Sequence, residues 1–174
     1  MFGHSRIVGF TALLALLSPA LATVYRVDDR SPQQIKDAGG FKAWDPAGTG
    51  SVIDHANKVL GDKDPWISTT TDQGFAKAAA KGNLEAWIYH IEEDGITFTD
   101  VDKAFEEAGQ ENNHPGEHEQ AVKGEIAWTS IKKWDHYKRG KKVDDQTRKD
   151  FDEGQKDKKR SEPLVGSVKF KASL

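Results

Sequence analysis

No cysteine occurs anywhere in the 174 residues. That excludes a disulfide, a thiol nucleophile and a zinc site built on thiolates. Long apolar runs are equally scarce. The one extended run, Ile7 to Leu17, falls short of the about 20 residues that a membrane-spanning helix needs. With Arg6 before it and Ala20-Leu21-Ala22 after it, the run has the layout of a secretory leader, with cleavage expected between Ala22 and Thr23. An excess of one charge is missing too. Leaving out Arg6, 24 basic residues stand against 28 acidic ones. So weak an acidic balance does not suit nucleic acid or an anionic membrane as the main partner. No Asn-x-Ser/Thr acceptor is present, and no metal chemistry is expected.

What is present is a chain of short elements. Residues 23–174 are long enough for one domain with a core of its own. "TVYRVDD" (Thr23 to Asp29) reads as a strand. In "RSPQQIKDAGG" Ser31 is an expected N-cap, Pro32 the first helical residue and Gly39 the stop. "SVIDHANKVL" and "QGFAKAAAKG" read as helices, and "DVDKAFEEAG" as a helix capped by aspartate. "PWISTTTD" and "LEAWIYHIEE" carry the β-branched residues or the alternation of strands. "EIAWTSIKKWDHYKRG" is expected to hold one or two strands. Residues 138–162 are dominated by charge and are expected to be a solvated helix or a loose segment. "PLVGSVKFKASL" returns to alternation and is expected to add a last strand. Strands and short helices in mixed order make the class α+β.

Several residues have the chemistry of a site. Arg26 lies inside the first strand, and His55 in a helical stretch. Ser68, Thr69 and Thr70 lie on a strand after Trp66 and Ile67. In "HPGEHEQAV", Glu117 and Glu119 stand one residue apart. On a strand that spacing puts both carboxylates on one face, with Cα atoms roughly 6.5–7 Å apart. Like charges at that distance repel, so the face is either open to water or chemical. Singly, each feature has a plainer explanation: an edge arginine, a structural histidine, β-propensity, and chance in a chain that is 30% charged.

Their order and spacing resemble one family. "VYRVDDRSPQQIKDAGG" is similar to the opening of the cholera toxin and heat-labile enterotoxin A chains, with Tyr25, Arg26, Asp28, Arg30 and Pro32 ahead of an Ile-Lys-x-x-Gly-Gly helix end. "GTGSVIDH", "WISTT" and "HPGEHEQAVKGEIAW" resemble the segments that follow, so the likeness runs from Val24 to about Trp134. Thr70 replaces a serine of the family's pattern, and His118 a glutamine. The family's interchain disulfide has no counterpart here.

The resemblance implies a mono-ADP-ribosyltransferase of the arginine–serine–glutamate class. Its fold would be two small packed β-sheets with flanking helices around an NAD cleft. NAD would be the substrate, without a metal. Glu119 would steady the positive charge that develops on ribose as nicotinamide leaves, and Glu117 would orient and deprotonate an acceptor arginine. Ser68 would fix Glu119. Arg26 would hold pyrophosphate, and His55, Thr69 and Thr70 complete the expected NAD-binding set. The implied protein is a secreted toxin or virulence effector that acts inside a host cell, on an acceptor such as a G-protein α subunit. Loop residues Asn112, Asn113 and His114 are candidate target contacts. Two alternatives stay open: an NAD glycohydrolase with water as acceptor, and a non-enzymatic effector that keeps the fold.

Overall fold

The computed structural model describes residues 22–161. The expected leader, apart from Ala22, and the expected strand beyond residue 162 lie outside that span. Nine strands and five helices follow in mixed order. They are β1 (Thr23–Asp28), α1 (Pro32–Asp37), β2 (Gly40–Lys42), α2 (Val52–Ala56), β3 (Trp66–Thr70), α3 (Gln73–Lys81) and β4 (Glu85–Glu92). Then come β5 (Phe98–Asp100), α4 (Val101–Glu107), β6 (Glu119–Lys123), β7 (Glu125–Ala127), β8 (Ile131–Lys138), β9 (Lys141–Thr147) and α5 (Arg148–Ser161).

Seven strands form an antiparallel sheet in the order β5-β6-β3-β1-β4-β8-β9, and β2 and β7 pair separately. The seven-stranded sheet is nearly two sheets. β1 pairs with β4 along its whole length, Thr23 opposite Glu92 through Asp28 opposite Trp87. β3 likewise pairs fully with β6, Trp66 opposite Lys123 through Thr70 opposite Glu119. Between β1 and β3 the register holds at one position, Tyr25 opposite Thr70. A four-stranded and a three-stranded half therefore part at the middle. This is the form that the expected pair of sheets takes, and the parting is the cleft.

Three apolar clusters hold the halves. The largest joins Val24, Ile35, Phe41, Tyr89, Ile91, Ile131 and Trp134 to Ile67 and Val122 of the three-stranded half, so one core runs under both. Full burial of such side chains is worth about 1.5–3 kcal/mol each. Ala76 and Ala80 of α3 pack against Ala86, Ile88 and Tyr137 on the other face. Val52 of α2 meets Val101 and Phe105 of α4 over Ala121 of β6. That third cluster seats α2 beside the parting.

Local chemistry sets the element ends. Ser31 accepts from Gln34 N–H while the Gln34 side chain reaches back to Ser31 N–H, a reciprocal cap ahead of Pro32. Gly40 sits at φ +130°, and a Cβ there would collide with the Ile126 carbonyl, so only glycine lets β2 lie on β7.

The charged segment holds the expected helix, α5, and a strand that was not expected. Lys141 to Thr147 form β9, an edge strand exposed almost throughout, paired with β8. Arg139 (φ 50°) and Gly140 (φ 76°) supply the two left-handed residues of a tight hairpin. α5 is anchored, not loose: Phe151 packs edge-on against Trp134 at 5.3 Å, and Lys36 pairs with Asp152 at 2.7 Å.

Candidate active site

Arg26 lies where the sheet parts. Its Nη1 donates to the Ser68 carbonyl across the gap at 2.8 Å, and its Nε and Nη2 donate to Asp28 Oδ2 at 3.3 Å. The guanidinium stands 5.1 Å from the centre of the Phe41 ring. Burial draws Arg26 below its ordinary value, and Asp28 opposes that. Asp28 in turn grips Arg30 through Nε at 2.8 Å and Nη2 at 2.7 Å. Three of the five N–H groups of Arg26 are thus engaged. Arg26 is therefore a strut between the half-sheets, with two N–H groups left over.

Across the parting, His55, Ser68 and Glu119 converge. Ser68 and Glu119 share one face of the β3–β6 pair, because Ser68 is opposite Ala121 and Thr70 opposite Glu119. His55 Nε2 lies 2.9 Å from Ser68 Oγ and 3.2 Å from Glu119 Oε1. Its Nδ1 lies 2.6 Å from Asp64 Oδ2. Burial alone would push the imidazolium down, but hydrogen bonds to Glu119 and Asp64 outweigh it and raise His55 above its ordinary value. Glu119 is the mirror case. Burial would raise it, yet His55, Ser68 and Arg26 together hold it below the usual carboxylate range. Glu119 is therefore an ionised carboxylate, and its side chain is only 11% exposed.

Glu117 departs from the strand geometry read from the sequence. It ends a 3₁₀ turn, Pro115–Glu117, and His118 takes a left-handed conformation at φ 45° before β6 begins at Glu119. A turn, not strand alternation, brings the second carboxylate to the cleft. The turn is pinned by Thr70, whose Oγ1 donates to the Glu117 carbonyl at 2.6 Å and accepts from Asp72 N–H at 2.9 Å. Thr69 donates to the Gln120 carbonyl. Both threonine hydroxyls thus bond to main chain, and both residues line the cavity beside Glu119. The Glu117 carboxylate is 39% exposed, with His114 Nδ1 3.7 Å away as a loose partner.

Ser68, Glu117 and Glu119 stand between two cavities. One, of about 150 Å³, is floored by Tyr25, Val27, Phe75, Ala76 and Ala79. The other, of about 230 Å³, is polar and is bordered by Trp44, His55, Lys58, Asn112 and His114. A third groove, of about 350 Å³, joins Arg26 and Arg30 to Lys42 and Trp44. Asn113 lines neither cavity beside Glu119. His114 and His118 stand four apart, as helical zinc ligands do. Pro115 and the left-handed His118 prevent a helix there, and no group of three potential metal ligands occurs among the described residues.

The sequence profile of the heat-labile enterotoxin alpha chain matches residues 4–161. The chain belongs to that family. The NAD(+)–arginine ADP-ribosyltransferase Chelt of Vibrio cholerae is 32% identical over 127 residues, 63% of this chain. The match spans about a fifth of that relative's length, 20%. Among solved structures, an arginine-to-lysine mutant of heat-labile enterotoxin is 25% identical with a TM-score of 0.54, covering 71% of each chain. A guanine-specific ADP-ribosyltransferase superposes with TM-score 0.57 at 24% identity, over 74% of this chain and 76% of its own. The Scabin toxin of Streptomyces scabies shares the fold at 20% identity and TM-score 0.54, over 76% of this chain and 73% of its own.

Within this enterotoxin alpha chain domain, three residues escaped the sequence reading, and Asp28 entered it only as part of the opening motif. Asp64 is a single aspartate in a chain rich in them. Asp64 does carry a signal, since it precedes Pro65 and follows a turn. Phe75 reads as a helix-face residue and Trp44 as a loop aromatic; each borders the cleft through tertiary placement alone.

Proposed function

We propose that this protein is a secreted mono-ADP-ribosyltransferase that cleaves NAD and transfers ADP-ribose to an arginine of a target protein. The observation that carries the reading is Glu119: an ionised, largely buried carboxylate at the mouth of an apolar cavity, fixed by His55 and Ser68 and faced by a second carboxylate, Glu117.

The cavities suit the parts of NAD. Phe75, Val27 and Ala79 offer an apolar seat for a flat nicotinamide ring. Ser68 and Glu119 at its mouth offer acceptors for ribose hydroxyls. Lys42, Arg30 and the two remaining N–H groups of Arg26 offer donors to pyrophosphate in the adjoining groove, which Asp28 and Asp29 also line. Departure of nicotinamide leaves positive charge on the ribose carbon, much as in glycoside cleavage. A carboxylate fixed beside that carbon favours the transition state over the ground state. Because the anion is already ionised and oriented, little reorganisation accompanies the bond break.

Glu117 serves the other partner. A guanidinium has a pKa above ~12 and is a poor nucleophile. An exposed carboxylate on the polar side of Glu119 can orient it and accept its proton as the C–N bond forms. Trp44, Asn112 and His114 border that side and would meet the acceptor protein. The resemblance to the cholera toxin A-chain family supports a G-protein α subunit as acceptor and action inside a host cell. Secretion follows from the leader-like run at the N-terminus.

The test is nicotinamide release from NAD by the purified protein, with and without agmatine as an arginine surrogate. Release that rises with agmatine, with ADP-ribosyl-agmatine as product, supports transfer. Release insensitive to agmatine and to added basic proteins favours a glycohydrolase. A folded protein that releases no nicotinamide refutes the enzymatic reading.

A further inference from the structure

Asp64 does more than cap a turn. It precedes Pro65, which disfavours helical backbone at the preceding residue, and it takes an extended conformation at φ −74°, ψ 115°. Four bonds hold it there, the first from its own N–H to the Gly61 carbonyl at 3.2 Å. Its carbonyl accepts from Asp45 N–H at 2.9 Å, its Oδ1 from Trp66 N–H at 3.0 Å, and its Oδ2 meets His55 Nδ1 at 2.6 Å. His55, by contrast, stands on a helix of only five residues, too short to fix a side chain by itself. The imidazole is steered from Asp64.

We propose that Asp64 is a positioning residue of the NAD-cleaving site, holding His55 Nδ1 so that Nε2 is aimed at Ser68 and Glu119 and Glu119 Oε1 is tied. This deepens the proposed transferase reading and rests on it. With Oε1 engaged by His55, the carboxylate is held in one orientation toward substrate. Aspartate on Nδ1 also fixes which ring nitrogen carries the proton in the neutral form. In the charged form the ring bridges two carboxylates, one on the loop before β3 and one on β6. Lys58, His114 and Glu117 border the same cavity, and Arg26 acts on Glu119 from β1, so these groups complete the charges around the ring. The chain Asp64–His55–Glu119 thereby links the start of β3 to the reacting carboxylate.

Asp64→Asn tests this in the full protein, since the amide keeps the shape and the acceptor for Trp66 N–H. Two readouts are followed. In NMR titrations, the His55 midpoint falls relative to wild type. In nicotinamide release, kcat falls on the order of tenfold to a hundredfold, as small misplacements of a reacting group do, while KM for NAD stays within about threefold. Asp64→Glu, which keeps the charge, recovers part of both. A fall in kcat with an unmoved His55 titration overturns the proposal in favour of a merely structural aspartate. Wild-type kcat and titration in Asp64→Asn overturn it as well. Should Asp64→Asn fail to fold, Asp64→Glu alone decides: values between wild type and His55→Ala support the proposal, and wild-type values refute it. A wild-type protein that leaves NAD intact refutes the transferase reading instead, and the His55 titration then still reports whether Asp64 controls the ring.

Discussion

Glu117 and Glu119 are separated by one residue, yet they live in opposite surroundings. Glu119 begins a paired strand, is 11% exposed, and is bound by a histidine that a second carboxylate holds in turn. Glu117 ends a short turn, is 39% exposed, and has only His114 nearby at 3.7 Å. Placement therefore divides the labour of two identical side chains. A group that must meet a charge developing at a fixed atom gains from rigidity. A group that must greet an incoming protein side chain gains from access. His118, left-handed between them, is the hinge that lets the two differ.

Breaking the rigid member should have the largest effect. Glu119→Gln keeps the volume but removes the anion, so nicotinamide release and transfer should both fall by about 10²–10³, the loss typical of removing a preorganised electrostatic contact. A melting temperature near that of wild type shows that the fold is kept. Release above a tenth of the wild-type rate would end the assignment. Breaking the open member should split the two activities instead. Glu117→Gln should cut transfer to agmatine by about 10²-fold or more, the usual scale of a lost general base, and cut nicotinamide release far less. Equal losses in both would mean that Glu117 acts on NAD, not on the acceptor.

The contrast was half legible in the sequence. Most elements announced themselves. Ser31 with Pro32 and Gln34 gave the first helix its start, Asp100 capped α4, and the alternation of residues 84–93 gave β4. Arg26, His55, Ser68 and the glutamates were picked out by type and order. Their geometry was not, because it depends on long-range contacts. Strand periodicity placed the glutamates on one face, whereas a left-handed residue between them lets Glu117 turn in separately. Such a conformation costs a non-glycine residue about 1–2 kcal/mol, and the Thr70 bond to the Glu117 carbonyl helps offset it. The strut role of Arg26 was hidden, since its partner across the gap, the Ser68 carbonyl, is visible only once β1 and β3 are adjacent. β9 was hidden because an exposed edge strand has no apolar alternation to reveal it. Its signal was the Arg139-Gly140 turn.

Thr70 offers a gentler way to blur the comparison. Thr70→Val removes the hydroxyl that joins the Glu117 carbonyl to Asp72 N–H without changing the packing volume. Each lost hydrogen bond should cost about 1 kcal/mol, seen as a lower melting temperature. With the turn released, Glu117 should wander while Glu119 stays clamped, so the ratio of transfer to hydrolysis should drop several-fold. An unchanged ratio would show that the turn holds itself.

Acidity gives the smallest and most continuous perturbation, and its sign follows from the two shifts. His55 is raised above its ordinary 6.5, so what it contributes to folding is complete below 6.5 and is lost as pH climbs through the raised value. Glu119 is depressed below its ordinary 4.5, so its contribution is complete above 4.5 and is lost as pH falls through the lowered value. The clamp between them should be tightest from 4.5 to 6.5, where the imidazolium and the carboxylate are both charged even in the unfolded reference. Amide exchange at residues 52–56, measured across pH and corrected for intrinsic rates, should show its greatest protection in that window. His55→Gln should flatten the profile, because a neutral amide has no proton to lose. Glu117, loosely held and open to water, should leave the profile unmoved when replaced by glutamine. A window that shifts with Glu117→Gln would mean that Glu117 takes part in the clamp, and that the separation of the two roles is incomplete.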